Sequence, residues 1–294
     1  MSADRPRIGI VGLGLVGQAI AQRLQGAGFA CTGFDLRPEA VAQFVAAGHQ
    51  GTDQLDDLAH GLHTLVLAVF DTAGVLKVVD TLLAARGDGN EPLTLIDCST
   101  GDPDALAALA QRLQTKNIGF IEAPLSGSSA QIAAGQATLL LGGEAGAIAA
   151  QAAVLDAIST QRIHVGGAGM GARAKLATNL VLGLNRAVLA EGMVFAERMG
   201  IAPAAFLQLV LATPARSDAA MAKGAMMVSG EFTPQSRIRQ HLKDVQLMLD
   251  AAQAAGQRLP LSQAHAALMR AAVDAGDGDL DNAGLIRQIR REAL

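Results

Sequence analysis

Apolar residues fall along this chain in two regimes. In the first half, short apolar runs read as strands over Arg7–Val11, Ala30–Phe34, Leu65–Val69, Leu93–Asp97, Gly119–Glu122, Ala137–Leu141 and Arg162–His164. Amphipathic stretches between the earlier runs predict helices over Val16–Ala27, Pro38–Ala47, Val75–Leu83 and Asp104–Gln114. Strands alternating with helices of this length imply βαβ units and a parallel sheet. Asp102 followed by Pro103 supplies a helix N-cap and first-turn pair. From Ala172 to about Met199 no turn residue intervenes, and Leu176, Leu180, Leu184 and Val188 recur at helical spacing, which predicts one long helix. Helices follow near Pro203–Ala212, Ser217–Met227, Ile238–Ala255, Leu261–Ala275 and Asp281–Arg291, punctuated by Pro and Gly, and nothing after residue 172 resembles a strand. The expectation is an α/β domain over 1–165 and an all-helical domain over 166–294, joined at the Gly166–Gly171 loop.

Composition narrows the partners. With 294 residues the chain has room for two cores, and 50% hydrophobic against 17% charged residues is a globular balance. Aromatics make up 3%, Trp and Tyr are absent, and the net charge is -4, so neither base stacking nor a basic footprint for nucleic acid is available. Polar residues lead directly into the first strand pattern, so no secretory leader is expected. No apolar stretch is read as approaching the roughly 18–20 residues of a membrane span. Cys31 and Cys98 sit in apolar strand runs and read as buried free thiols suited to a reducing cytoplasm.

Three motifs carry chemistry. Gly12-Leu13-Gly14-Leu15-Val16-Gly17 lies between a strand and a helix, where this glycine spacing serves a dinucleotide. Gly12 permits the turn, Gly14 admits the pyrophosphate, Gly17 lets helix and strand pack, and the helix N-terminus faces the phosphates. Asp35 closes the next strand, where an acid accepts ribose hydroxyls and repels a 2′-phosphate. NAD is therefore expected, with NADP possible because Arg37 offers a 2′-phosphate partner. The plain alternative is an ordinary βα turn with a surface Asp.

The segment Glu122-Ala-Pro-Leu-Ser126-Gly127-Ser128-Ser129 follows a strand, and its small residues suit an anion such as a carboxylate, or merely a Ser/Gly turn. In Gly169-Met-Gly171-Ala-Arg-Ala-Lys175-Leu-Ala-Thr-Asn179, Lys175 and Asn179 share one face of the long helix. A Lys among apolar residues is partly desolvated, which lowers its pKa toward neutrality; the competing reading is a Lys snorkelling to the surface.

In this order the motifs resemble the β-hydroxyacid dehydrogenase family, which includes 3-hydroxyisobutyrate dehydrogenases and tartronate semialdehyde reductases. GLGLVG is similar to the family's GLGxMG, EAPLSGSS to D-x-P-V-S-G-G, and GMGARAKLATN to G-x-G-x-x-x-K-x-x-N-N. Asp97-Cys-Ser99-Thr100 is similar to D-x-S-T, and Lys243-Asp244 to the family's K-D pair. The departures are Glu122 for Asp, Ser128 for Gly, Ala130-Gln131 for Gly-Ala, Thr178 for Asn, and Ala68-Val69-Phe70 for M-L-P.

The resemblance implies a Rossmann-type α/β domain followed by an all-α domain like that of 6-phosphogluconate dehydrogenase. It implies hydride transfer between a nicotinamide cofactor and a small 3-hydroxy acid or its semialdehyde. Lys175 would be the catalytic acid/base, and Ser126, Gly127, Ser128 and Asn179 would bind substrate. Gly12, Leu13, Gly14, Val16, Gly17, Asp35, Arg37, Val69, Phe70, Thr100 and Lys243 would hold the cofactor. The long helix needs cover, so a homodimer or homotetramer is expected.

Imine reductases share the architecture but usually carry Asp or Tyr where Lys175 stands. Ketopantoate reductases lack the S-G-G-like segment, and catalytically silent relatives have lost the lysine. His60 and His63, one turn apart near Asp56 and Asp57, read as a solvated turn, so no metal is expected. His241 is given no role, and Met221, Met226 and Met227 read as helix packing.

Overall fold

Alternation within the strands decides how the first unit is built. In the computed structural model, which describes residues 6–87 and 91–292, nine strands form one sheet. They are β1 (Arg7–Val11), β2 (Ala30–Phe34), β3 (Gln50–Thr52), β4 (Thr64–Leu67), β5 (Leu93–Asp97), β6 (Ile118–Glu122), β7 (Leu125–Ser126), β8 (Thr138–Gly142) and β9 (Arg162–Gly166). Val66, Ile96 and Ile121 point into one hydrophobic cluster, while their neighbours Leu65, Leu67, Leu95 and Phe120 point into another. The period of two thus buries both faces of the sheet, as strands covered by helices require. Each fully buried Leu or Ile of this kind contributes about 1.5–3 kcal/mol. The N-terminal residues on which the leader expectation rests lie outside the described residues.

The strand order is β3-β2-β1-β4-β5-β6-β8-β7, with β9 beside β8. Pairing is parallel from β3 through β6. The parallel sheet expected from the βαβ pattern covers these strands, and beyond them β8 runs antiparallel to β6 and β7 and parallel to β9. The chain reverses at the Ser/Gly segment and the short helix Ser129–Ala133, and no long crossover helix lies there to restore direction. β4 ends at Leu67, so Val69 belongs to the loop after it. β3 and β7, and the helices Ala145–Ala150 and Ala152–Ile158, are too short to leave a periodic signature.

By contacts the chain divides into Met1–Lys175 and Leu176–Leu294. The second unit is helical, its one strand-like feature among the described residues being an isolated bridge between Arg237 and Asp281. Its helices include Pro203–Ala212, Asp218–Ser229, Ile238–Ala254, Pro260–Ala272 and Leu285–Arg291. The expected helix to Ala275 stops earlier, in a π turn over Val273–Asp277 where Gly276 takes φ 87°. The Met170–Arg198 helix is long and apolar enough to cross a membrane by length and composition alone, which corrects the expectation that no stretch is. Its buried residues include Lys175, Asn179 and Arg186, and Leu189, Ala190, Met193 and Val194 join a core cluster of the second unit.

Candidate active site

The glycine turn forms because no side chain fits there. Gly12 has φ 94°, and a Cβ on it would sit 2.4 Å from the Ala68 carbonyl oxygen. A Cβ on Gly17 would sit 1.9 Å from the Gly12 oxygen, so the helix Leu15–Gly26 lies directly on the turn. Around Gly14 nothing lies within 4 Å of such a Cβ. Gly14 also caps this helix without a side-chain hydrogen bond, so first-turn N–H groups and the positive dipole end face an open approach. A dinucleotide pyrophosphate fits that cradle. Leu13 is wholly buried, so its side chain serves the core, and Val16 packs against the same cluster.

Asp35 follows β2 and is tied to this turn. Its Oδ2 accepts the Leu13 N–H at 2.8 Å and Arg37 Nη2 at 3.1 Å; its Oδ1 accepts Arg37 N at 2.9 Å and Nε at 3.0 Å. Burial works to raise the Asp35 pKa, but the hydrogen bonds and charge of Arg37 and the Leu13 N–H outweigh it and hold the carboxyl below its usual range. Four donors fill the lone-pair sites of one carboxylate. Asp35 and Arg37, weighed separately in the sequence, therefore form one unit.

The neighbouring strand ends are laced together. Val69 N–H donates to Ser99 Oγ at 3.1 Å, and Ser99 N–H donates to Asp97 Oδ1 at 2.9 Å. Asp102 N–H donates to Thr72 Oγ1 at 2.8 Å. Phe70 is exposed and Thr100 half-buried beside these bonds. Cofactors of this fold bind along the carboxyl ends of the parallel strands, where Gly12, Asp35, Val69, Phe70 and Thr100 all lie.

The Ser/Gly segment holds a helix cap. Ser128 N–H donates to Gln131 Oε1 at 2.8 Å, and Gln131 N–H donates to Ser128 Oγ at 3.3 Å. This reciprocal capping box opens the Ser129–Ala133 helix. Its S-x-x-Q spelling was present in the sequence. Gly127 has φ 154°, and a Cβ there would meet Ala137 Cβ at 2.9 Å.

Lys175 is 7% exposed, and its Nζ donates to the Leu125 carbonyl at 2.6 Å. Its amino group is buried with a fixed acceptor, and the snorkelling alternative does not describe it. The start of its helix meets Glu122, which is 1% exposed. Glu122 Oε2 accepts Gly169 N–H at 2.5 Å, Oε1 accepts Ala172 N–H at 2.9 Å, and Gly171 N–H adds a third bond. Burial raises the Glu122 pKa, the adjacent Asp97 adds to the rise, and the three N–H bonds oppose it. Sequence reasoning noted Glu122 only as a departure and missed the Leu125 carbonyl altogether, since backbone acceptors leave no residue signal.

In the second unit, Asn179 Nδ2 donates to Asp244 Oδ2 at 3.2 Å, and Lys243 Nζ lies 3.0 Å from Asp244 Oδ1. Asp244 thus fixes both polar residues singled out there. Behind it the buried Arg186 lies in the field of Asp281 and Asp244, and desolvation lowers its pKa to about 10. Lys223 pairs with the fully buried Asp281 at 2.8 Å. His241 is buried beside His265, with ring centroids 5.4 Å apart. His60 and His63 turn to different carbonyls, those of Ala85 and Pro92.

Glycine turn, open helix end and strand-terminal acid define a domain that binds a nicotinamide dinucleotide. Residues 7–167 match the NAD binding domain of 6-phosphogluconate dehydrogenase, and residues 169–289 match the NAD-binding domain of NADP-dependent 3-hydroxyisobutyrate dehydrogenase. The chain belongs to the β-hydroxyacid dehydrogenase family. It is 31% identical to an L-threonate dehydrogenase of Cupriavidus necator over 95% of each chain. It is 29% identical to a 2-(hydroxymethyl)glutarate dehydrogenase of Eubacterium barkeri, covering 87% of this chain and 85% of that one. A solved 3-hydroxyisobutyrate dehydrogenase from Salmonella typhimurium is similar at TM-score 0.86 and 28% identity, covering 96% of this chain and 99% of that one.

Proposed function

We propose that this protein is a dehydrogenase of a small 3-hydroxy acid, or the reductase of the matching semialdehyde, with Lys175 as its proton-transfer group. The observation that carries this is the Lys175 ammonium, buried and held 2.6 Å from the Leu125 carbonyl, next in sequence to Ser126 and Gly127. The nicotinamide, when bound, supplies the hydride chemistry.

The chain's own residues do the rest. Ser126 and Gly127 receive the carboxylate, with Ser128 shaping the loop through its cap. The hydroxyl then stands at Lys175 Nζ: in oxidation the neutral amine takes its proton and becomes the ammonium, and in reduction the ammonium gives that proton to the alkoxide. Such general acid/base catalysis is worth roughly 10²–10⁴-fold. Asn179, one turn along the same helix, hydrogen-bonds the reacting oxygen while Asp244 keeps its amide from rotating.

NAD is the preferred cofactor in this reading, with NADP accepted. The Arg37 guanidinium is exposed while Asp35 is nearly buried, so Arg37 is the member that can turn toward a 2′-phosphate. Either ribose form then finds a partner. Lys243 serves the cofactor, as the resemblance implies. We place the protein in the cytoplasm because both cysteines are buried and free. The assembly is a homodimer or dimer-based tetramer formed across the exposed Val181, Val188 and Phe195 of the long helix and Met199 just after it.

The test is a panel of small 3-hydroxy acids and semialdehydes assayed with NAD and NADP by nicotinamide absorbance. L-threonate, 2-(hydroxymethyl)glutarate and 3-hydroxyisobutyrate belong in it because relatives act on them. Turnover of at least one substrate is expected, and none across the panel defeats the reading.

A further inference from the structure

A four-residue segment sets both ends of the Lys175 geometry. At its start, Glu122 accepts N–H groups of Gly169, Gly171 and Ala172, the opening turn of the helix that carries Lys175. At its end, the Leu125 carbonyl accepts the Lys175 ammonium. Between them the chain is pinned, because Ala123 N–H donates to the Asp97 carbonyl at 2.7 Å and Leu140 N–H donates to the Pro124 carbonyl at 3.0 Å. Pro124 also has its φ fixed by its ring.

The fit around Glu122 is tight. A Cβ on Gly142 would lie 2.5 Å from Glu122 Oε2, and one on Gly171 would lie 2.8 Å from Glu122 Cβ. Close packing on this scale leaves the helix start little room to shift while the carboxylate is bound. On the outer side of the same turn, Arg173 reaches Asp104 at 2.6 Å, but that pair is exposed and holds weakly.

We propose that Glu122 is the positioning residue for Lys175: it clamps the first turn of the helix so that the ammonium meets the Leu125 carbonyl and the substrate oxygen in one geometry. This rests on the reading of Lys175 as the proton-transfer group. Proton transfer tolerates little displacement, and a shift of about 1 Å costs on the order of a hundredfold. Glu122→Gln keeps the size but presents an NH2 group to N–H donors, so at least one of the three bonds is lost. Glu122→Asp keeps the charge but shortens the reach by one methylene.

The experiment compares the full-length wild type with Glu122→Gln, Glu122→Asp and, as control, Arg173→Ala. Three readouts are taken: steady-state kinetics, amide hydrogen exchange at Gly169, Gly171 and Ala172, and the reductive methylation rate of Lys175 against exposed Lys116. Glu122→Gln is expected to speed exchange at those amides and methylation of Lys175 at least fivefold. Its kcat should fall at least tenfold while the cofactor KM stays within twofold. Glu122→Asp should recover part of kcat, and Arg173→Ala should leave all readouts within twofold. A purely structural Glu122 would lower Tm while leaving kcat per folded molecule unchanged. That result, or lost kcat with unchanged exchange and methylation, overturns the proposal. If Glu122→Gln does not fold, Glu122→Asp is judged by the same readouts. If the wild type turns over no hydroxy acid, the functional reading fails, and exchange and methylation alone decide whether Glu122 holds the turn.

Discussion

Gln131 closes back on Ser128, accepting its N–H at 2.8 Å while giving its own N–H to the Ser128 hydroxyl at 3.3 Å. Two departures from the family pattern are therefore one device. The box takes the Ser128 N–H out of the set of donors available to a carboxylate. Gln131→Ala should release that N–H and lower KM for the hydroxy acid several-fold with kcat nearly constant. It should also cost up to about 1 kcal/mol of stability, as loss of half a helix cap does. An unchanged or higher KM, from initial-rate kinetics, would remove Ser128 from the substrate site.

Lys175 gives the sharpest kinetic test. Lys175→Ala should lower turnover by about two to four orders of magnitude with cofactor affinity nearly intact. Lys175→Arg should fail to rescue, because a guanidinium does not release its proton near neutral pH. Retention of more than about a tenth of wild-type turnover in Lys175→Ala would reject Lys175 as proton donor and move attention to Lys243.

The Asp35–Arg37 pair makes opposite predictions for its two members. Asp35→Ala should narrow the preference for NAD by leaving Arg37 free to meet a 2′-phosphate. Arg37→Ala should widen it by leaving the Asp35 charge uncompensated. The measurement is kcat/KM for each cofactor in each variant. A wild type with higher efficiency on NADP would show that Arg37 dominates.

His265 should make the helical unit acid-sensitive. Burial first, and the Arg186 charge second, lower its pKa from 6.5 to about 4. Between those values the unfolded chain binds the proton and the folded one does not, so stability rises with pH across that window and falls on acidification. The loss approaches roughly 3 kcal/mol once pH passes below about 4. His265→Gln should flatten the dependence of Tm on pH between 6.5 and 4. An equal slope in wild type and variant would exclude His265 as the cause.

Val181, Val188 and Phe195 recur every seven residues and are 58%, 62% and 65% exposed, an apolar stripe along one face of the long helix. Static light scattering at micromolar concentration should give at least twice the chain mass. Val188→Lys should shift the mass toward a monomer. A monomeric wild type would reject the assembly.

Much of this protein is written locally. The glycine turn, the Asp102–Pro103 cap and the long helix were legible because each depends on near neighbours: a φ that only Gly12 tolerates, a side chain reaching Ala105 N–H at 2.7 Å, an uninterrupted period. Strands β1, β2 and β5 were legible to the residue, since buried parallel strands are continuous apolar runs bounded by turns. Lys175 and Asn179 were legible as a pair because one helical turn separates them.

Tertiary structure decided what lies across long sequence separations. The reversal at β8 follows from pairings, and an apolar run reads the same in either direction. Glu122 became a helix clamp only when β6 met the Gly169–Ala172 turn, and Lys175 found its acceptor on a main-chain carbonyl that any residue at position 125 would offer. Asn179 was oriented by Asp244 on another helix. Residue type and period set which groups are present and which elements form. Which donor meets which acceptor depends on packing between elements distant in the chain, and no local pattern carries that.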